Sequence, residues 1–190
     1  MSVLDIGGDK GYIKKYIQDT KYVNIGYGPS VSIQYNLEQT PYPFEDKSFD
    51  VILCLDVLEH IDNIHNAFDE CCRIAKKYCI ISLPNPYENF IKFLYHGKYS
   101  NLKNMKFYSL QPEPENDRHK WFYSPAEARN FIEYRSKKNG YRIIQHEPII
   151  EQSIESSSNA KALRAVFRQD LPVHDLLQGG AMWWLLERQE

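Results

Sequence analysis

The segment Val3-Leu4-Asp5-Ile6-Gly7-Gly8-Asp9-Lys10-Gly11 constrains this chain more than any other stretch. A short apolar strand carries an acid and runs straight into a glycine-rich turn. Ile13, Tyr16 and Ile17 then recur with helical spacing, which predicts a first helix over Gly11–Gln18. Strand, glycine turn and helix together bring backbone close to a ligand. Glycines remove the Cβ atoms in the way, and a helix N-terminus offers unpaired N–H groups. The spacing fits neither G-x-G-x-x-G nor G-x-x-x-x-G-K-[ST], which argues against hydride-transfer and P-loop chemistry.

The remaining pattern alternates strand and helix. Tyr22–Tyr27 reads as strand two. Val31–Asn36 follows too closely for a helical crossover, which needs about a dozen residues. It is expected as a short antiparallel piece or an extended edge segment, a degenerate third strand. Thr40–Ser48 is turn-rich. Phe49–Leu55 is a near-continuous apolar run, as in a central parallel strand covered on both faces. Ile64, Phe68, Cys71, Cys72 and Ala75 mark one helix face, and Tyr78–Leu83 is another buried strand. Ser124, Pro125 and Glu127 form a capping box that opens a helix running to Lys138. Tyr141–Gln145 and Ala181–Glu187 are the last strands, expected to pair antiparallel. Residues 87–123 are aromatic-rich and read as an insertion or lid, and residues 151–180 as a polar loop region. The fold class expected is α/β: one domain over 1–190 with a doubly wound, mostly parallel sheet and an antiparallel last strand. In such a sheet Gly7–Gly11, Tyr27, Asn36, Asp56 and Asn85 all fall at carboxyl ends of strands and converge.

Charge and cysteine usage narrow the classes. A net charge of −2 over 190 residues gives no electrostatic case for nucleic acid or an anionic membrane. No apolar run approaches the roughly 18 residues that span a bilayer. The chain enters its first strand at once, so no signal peptide is expected. Cys54, Cys71, Cys72 and Cys79 lack zinc-like spacing. They are expected as buried reduced thiols in a cytoplasmic protein, with no metal. The oligomeric state is left open.

Three blocks carry a resemblance. Val3–Tyr12 resembles the first motif, D-x-G-x-G-x-G, of class I S-adenosylmethionine-dependent methyltransferases. Pro41-Tyr42-Pro43-Phe44-Glu45-Asp46-Lys47-Ser48-Phe49-Asp50-Val51, leading to Val57-Leu58-Glu59-His60-Ile61, resembles their central block. Glu70, Arg73 and Ile80-Ile81-Ser82-Leu83-Pro84-Asn85 are similar to the next helix and strand. The resemblance implies a Rossmann-like methyltransferase fold, S-adenosylmethionine as cofactor, and methyl transfer to an oxygen or nitrogen of a small or mid-sized acceptor. It implies a small-molecule partner, and the charge balance leads us to expect no nucleic acid or membrane partner. In such proteins Gly7, Gly8 and Gly11 would pass beneath the methionine part of the donor, and Asp5 would orient its ammonium. Leu55, Asp56 and Val57 would border the donor, as would Leu37 beside Asn36. Relatives carry a helix before strand one that helps roof the acceptor site.

Three positions depart from the motif. Asp9 stands at the middle glycine. Tyr27 stands where an acid ending strand two holds the ribose hydroxyls. Asn36 aligns with the acid near the adenine amino group, and its amide oxygen still accepts an N–H. Together they imply weaker donor binding than is usual. The alternative function is a non-catalytic module with this fold, acting in binding or regulation. His60 is the candidate general base or acceptor orienter, with His119 a second candidate on the acceptor side.

Overall fold

The computed structural model describes residues 1–17, 19–87, 90, 113, 117–148 and 180–189. Among these residues, seven strands form one sheet: β1 Ser2–Ile6, β2 Lys21–Gly26, β3 Ile33–Gln34, β4 Phe49–Leu55, β5 Ala75–Pro84, β6 Tyr141–Pro148 and β7 Ala181–Arg188. Their order is β3-β2-β1-β4-β5-β7-β6. The first five are mutually parallel, and β7 runs antiparallel to both of its neighbours. The strand order reverses between β1 and β4, and such a switch point opens a crevice at the strand ends.

The apolar run Phe49–Leu55 becomes β4, paired on both sides by β1 and β5. Ile52 and Cys54 are fully buried there. Helix α1, Ile64–Ile74, buries Ile64, Ala67, Phe68, Cys71, Cys72 and Ile74. These positions recur every three or four residues and make one apolar stripe. The helix passes without a linker into β5, so Ala75, expected on the helix face, already belongs to the strand. Helix α2, Pro125–Lys138, starts at the capping box: Glu127 N–H donates to Ser124 Oγ (3.2 Å) and Ser124 N–H to Glu127 Oε2 (2.7 Å). Phe131 of α2 meets Phe68 of α1 edge-on at 5.5 Å. Trp184 is 1% exposed and stacks on His146 at 4.9 Å. The four cysteines are free and buried.

The loop before β4 is tied to α1 by one ionic cluster. Arg73 binds Glu70 through two nitrogens at 2.7 Å each, and also donates to Phe44 O and Asp46 Oδ1 at 2.8 Å. Glu70 Oε2 in turn accepts the Tyr42 N–H at 2.6 Å.

Two expectations need correction. The first helix is a single 3-10 turn, Tyr12–Tyr16, with no buried residue; Tyr12 and Tyr16 are 66% and 76% exposed. Apolar spacing alone misled here, because nothing in the sheet covers that stripe. The third strand is an edge segment, as one alternative held, but it pairs parallel to β2 rather than antiparallel. Only Ile33 and Gln34 pair, against Ile25 and Gly26, so the chain climbs back a short distance. Asn24 Oδ1 clamps the return by accepting from the Ser32 N–H (2.8 Å) and Oγ (2.7 Å). Most of the expected lid and nearly all of the polar loop lie outside the described residues. No helix among the described residues is long and apolar enough to cross a membrane.

Candidate functional site

A cavity of about 660 Å³ opens at the carboxyl ends of β1, β2 and β4. That is within the ordinary range for a small-ligand site. Its floor is the loop after β1. Gly7 has φ +76°, and a Cβ there would stand 2.3 Å from Val57 Cγ2. Only glycine satisfies both demands. Gly7 N–H donates to Ile25 O (2.8 Å) and Asn24 Nδ2 to Gly8 O (2.8 Å), so β2 holds the loop. Asp5 lies beneath it, 4% exposed, accepting from the Tyr22 hydroxyl at 2.5 Å. A Cβ on Gly8 would fall 2.2 Å from Asp5 Oδ2. Burial pushes the Asp5 carboxyl above its ordinary value, against the Tyr22 hydrogen bond, which lowers it.

Of the residues expected at a ligand site, Gly7, Tyr27, Asn36, Leu37, Asp56, Val57 and His60 line this cavity. Asp5, Gly8, Gly11, Leu55 and His119 are not part of its lining. Asn85 is fully buried, its Oδ1 accepting from the Tyr87 N–H. The Asn36 side-chain oxygen accepts the Glu38 N–H at 3.0 Å. Asp56 has φ +52° and is pinned by Ser82, whose Oγ donates to Asp56 Oδ1 at 2.8 Å.

The opposite wall is made by a 3-10 turn, Leu58–His60, and the segment that leads into α2. Lys120 N–H donates to Glu59 O (2.8 Å), and Trp121 Nε1 to Ile61 O (2.7 Å). Lys120 Nζ reaches both Glu38 and Asp62, and Glu38 also accepts the Asp62 N–H at 3.0 Å. This bridging fixes the segment over the cavity rim.

Glu59 is the centre of a buried polar cluster. It is 1% exposed, and its Oε1 lies 3.7 Å from His60 Nε2 and 3.9 Å from His119 Nε2. The two imidazoles meet edge-on at 4.7 Å. Burial, with Asp56 and Asp117 adding negative charge, pushes the Glu59 carboxyl up to about 8. His60 Nδ1 faces Asp117 Oδ1 and Arg118 O, each at 3.2 Å. Both are acceptors, which suits a proton on Nδ1. The ligand atoms of Glu59, His60 and His119 lie within 4.8 Å of one another, so this trio has the composition and spacing of a cation site. Cysteine and histidine spacing in the sequence gave no hint of it. Glu38, Ile61, Asp117 and Lys120 also line the cavity and were not expected to. The Glu38–Lys120 pair spans residues far apart in sequence, so no local pattern marks it.

An adenosyl sulfonium ligand, of the kind the resemblance implies, fits these residues. The glycine floor lets backbone approach it, Leu37 and Val57 offer apolar contact, and one cavity carboxylate oxygen, Asp9 Oδ1, has no donor.

Comparisons with known proteins point the same way. Residues 1–146 match the family model described as a methyltransferase domain. No curated protein matches the chain in sequence. Among solved structures, an S-adenosylmethionine-dependent methyltransferase from Archaeoglobus fulgidus is 15% identical with TM-score 0.59; the match covers 98% of this chain and 86% of that one. The small RNA methyltransferase HEN1 is 14% identical with TM-score 0.62, covering 100% of this chain and 23% of that one. A third is the complex of a methyltransferase with the Haloferax volcanii Trm112 methyltransferase activator. It is 15% identical, with TM-score 0.58, covering 100% of this chain and 83% of that one. At these identities the likeness is one of fold. It corrects the expectation of a small-molecule partner and no nucleic acid. Chains of this fold include a small RNA methyltransferase and one bound to a protein activator, and a near-neutral net charge does not separate those partners from small molecules.

Proposed function

Given that this chain belongs to the methyltransferase-domain family, we propose that it transfers a methyl group to an oxygen or nitrogen nucleophile presented beside His60. S-adenosylmethionine is the cofactor, and its sulfonium supplies the activated methyl group. The observation that carries the reading is the position of His60. It is the one imidazole on the cavity wall among the described residues, across from the glycine floor.

Methyl displacement asks little acid–base work of the protein. It asks for alignment at near-attack distance and exclusion of water. Gly7, Leu37 and Val57 line the donor side. His60 orients the acceptor at the cavity wall, its ring held by Asp117 and Arg118 O at Nδ1 and by Glu59 Oε1 3.7 Å from Nε2. Asp117 faces the same ring nitrogen, Nδ1, at 3.2 Å and helps to fix the ring's orientation. Glu59 and His119 back the ring from the protein interior, so it cannot swing out of line. Phe122 meets Tyr87 at 5.0 Å and Phe90 at 6.2 Å, and this aromatic cluster is offered as apolar surface for the acceptor. Four buried free thiols support a reducing, cytoplasmic location.

The test is a thermal-shift titration with S-adenosylhomocysteine. At about 100 times Kd, mass action raises Tm by about 5–10 °C. Gly7→Leu, which drives a side chain into Val57, erases the shift. No shift in the wild type at millimolar ligand would refute the proposal.

A further inference from the structure

The end of β2 carries no acid, since Tyr27 stands there and is 67% exposed. A carboxylate nevertheless lies on that spot. The Asp9 side chain leaves the loop after β1 and crosses over Gly26 and Gly28. A Cβ on Gly26 would stand 2.4 Å from Asp9 Oδ1, and one on Gly28 would stand 2.7 Å from Asp9 Cβ. Neither distance is tolerable between real side chains. The two glycines flanking Tyr27 are what make room for the acid that replaces glycine in the β1 loop.

Asp9 also lines the cavity, and its Oδ1 is buried without a hydrogen-bond partner. A buried acceptor left without a donor is costly, so the arrangement calls for a donor that the protein itself does not supply. The other carboxylates on the cavity wall are engaged. Glu38 binds Lys120 and the Asp62 N–H. Asp56 accepts from Ser82. Asp117 faces His60.

Resting on the donor-binding reading above, we propose that Asp9 holds the vicinal ribose hydroxyls of the adenosyl group. The β1 loop thus supplies the carboxylate that the end of β2 lacks. A ribose presents two O–H donors on adjacent carbons. An ionised carboxylate presents two acceptor oxygens and no donor, so the pair matches in number and polarity. The bulk of Asp9 then does not obstruct the donor, because Gly26 and Gly28 absorb it. Asp9 and these two glycines form one compensated unit across β1 and β2.

The experiment is calorimetry of S-adenosylhomocysteine and its 2′-deoxy analogue with three proteins: wild type, Asp9→Ala, and the swap variant Asp9→Gly/Tyr27→Asp. Asp9→Ala is expected to weaken S-adenosylhomocysteine by roughly 10- to 100-fold, the size of a charge-assisted hydrogen bond. It is expected to bind the 2′-deoxy analogue with a much smaller loss. The swap variant is expected to recover both affinity and discrimination between the two ligands. If Asp9→Ala does not fold, Asp9→Asn decides: a loss for S-adenosylhomocysteine that shrinks for the 2′-deoxy analogue supports the assignment, and equal losses or none overturn it. Equal losses for both ligands, or none, would overturn the assignment alone. Failure of the wild type to bind either ligand would overturn the donor-binding reading and this one with it.

Discussion

Glu59→Gln isolates the most perturbed carboxyl beside the site. Glu59 is 1% exposed and its carboxyl is pushed up to about 8, first by burial and then by Asp56 and Asp117. An unfolded glutamate titrates near its ordinary value of 4.5. Between these two values the folded protein holds a proton that the unfolded chain releases. Stability is therefore full below about pH 4.5 and falls as pH rises toward 8, by about 1.4 kcal/mol per pH unit. Over the whole interval the loss is about 3–5 kcal/mol, the lower figure allowing for one unit of local relaxation. Gln keeps the shape and cannot ionise. Urea unfolding of both proteins at unit steps from pH 5 to pH 9 reads the difference. The variant is expected to gain on the wild type steadily from pH 5 to pH 8 and to level off above. A wild type that gains on the variant as pH rises would refute the reasoning. It would mean that the two imidazoles hold Glu59 as an anion.

Two further substitutions probe the scaffold. Tyr22→Phe removes the donor to Asp5 Oδ2 and leaves a buried acceptor unpaired; it is expected to cost about 1–3 kcal/mol by urea unfolding and to raise the Asp5 carboxyl further. Ser124→Ala removes one half of the capping box and is expected to cost about 1 kcal/mol, read as a lower midpoint in the same assay.

What the sequence disclosed was local. The strand and glycine turn of Val3–Gly11, the buried run Phe49–Leu55 and the Ser124–Glu127 box each carry their signal within a few residues, and each is found in place. The segment Tyr12–Tyr16 failed because spacing reports which residues share a face, and not whether anything covers it. The parallel pairing of β3 failed because the crossover rule assumes a full strand, and here two residues suffice. The site was half legible. Gly7, Tyr27, Asn36, Asp56 and Val57 follow from strand ends in a doubly wound sheet. The fit of Asp9 over Gly26 and Gly28 does not, because those residues become neighbours only when β1 and β2 pair. Glu59 and His119 lie sixty positions apart, and nothing local says that one buried carboxyl will face both imidazoles.

The central claim is that the crevice at the ends of β1, β2 and β4 accepts an adenosyl ligand. A crystal structure grown with saturating S-adenosylhomocysteine tests it directly. The account predicts ligand density over Gly7, with the ribose against Asp9 and the sulfur facing His60. Density that is absent from this crevice, or that lies elsewhere on the protein, would contradict it.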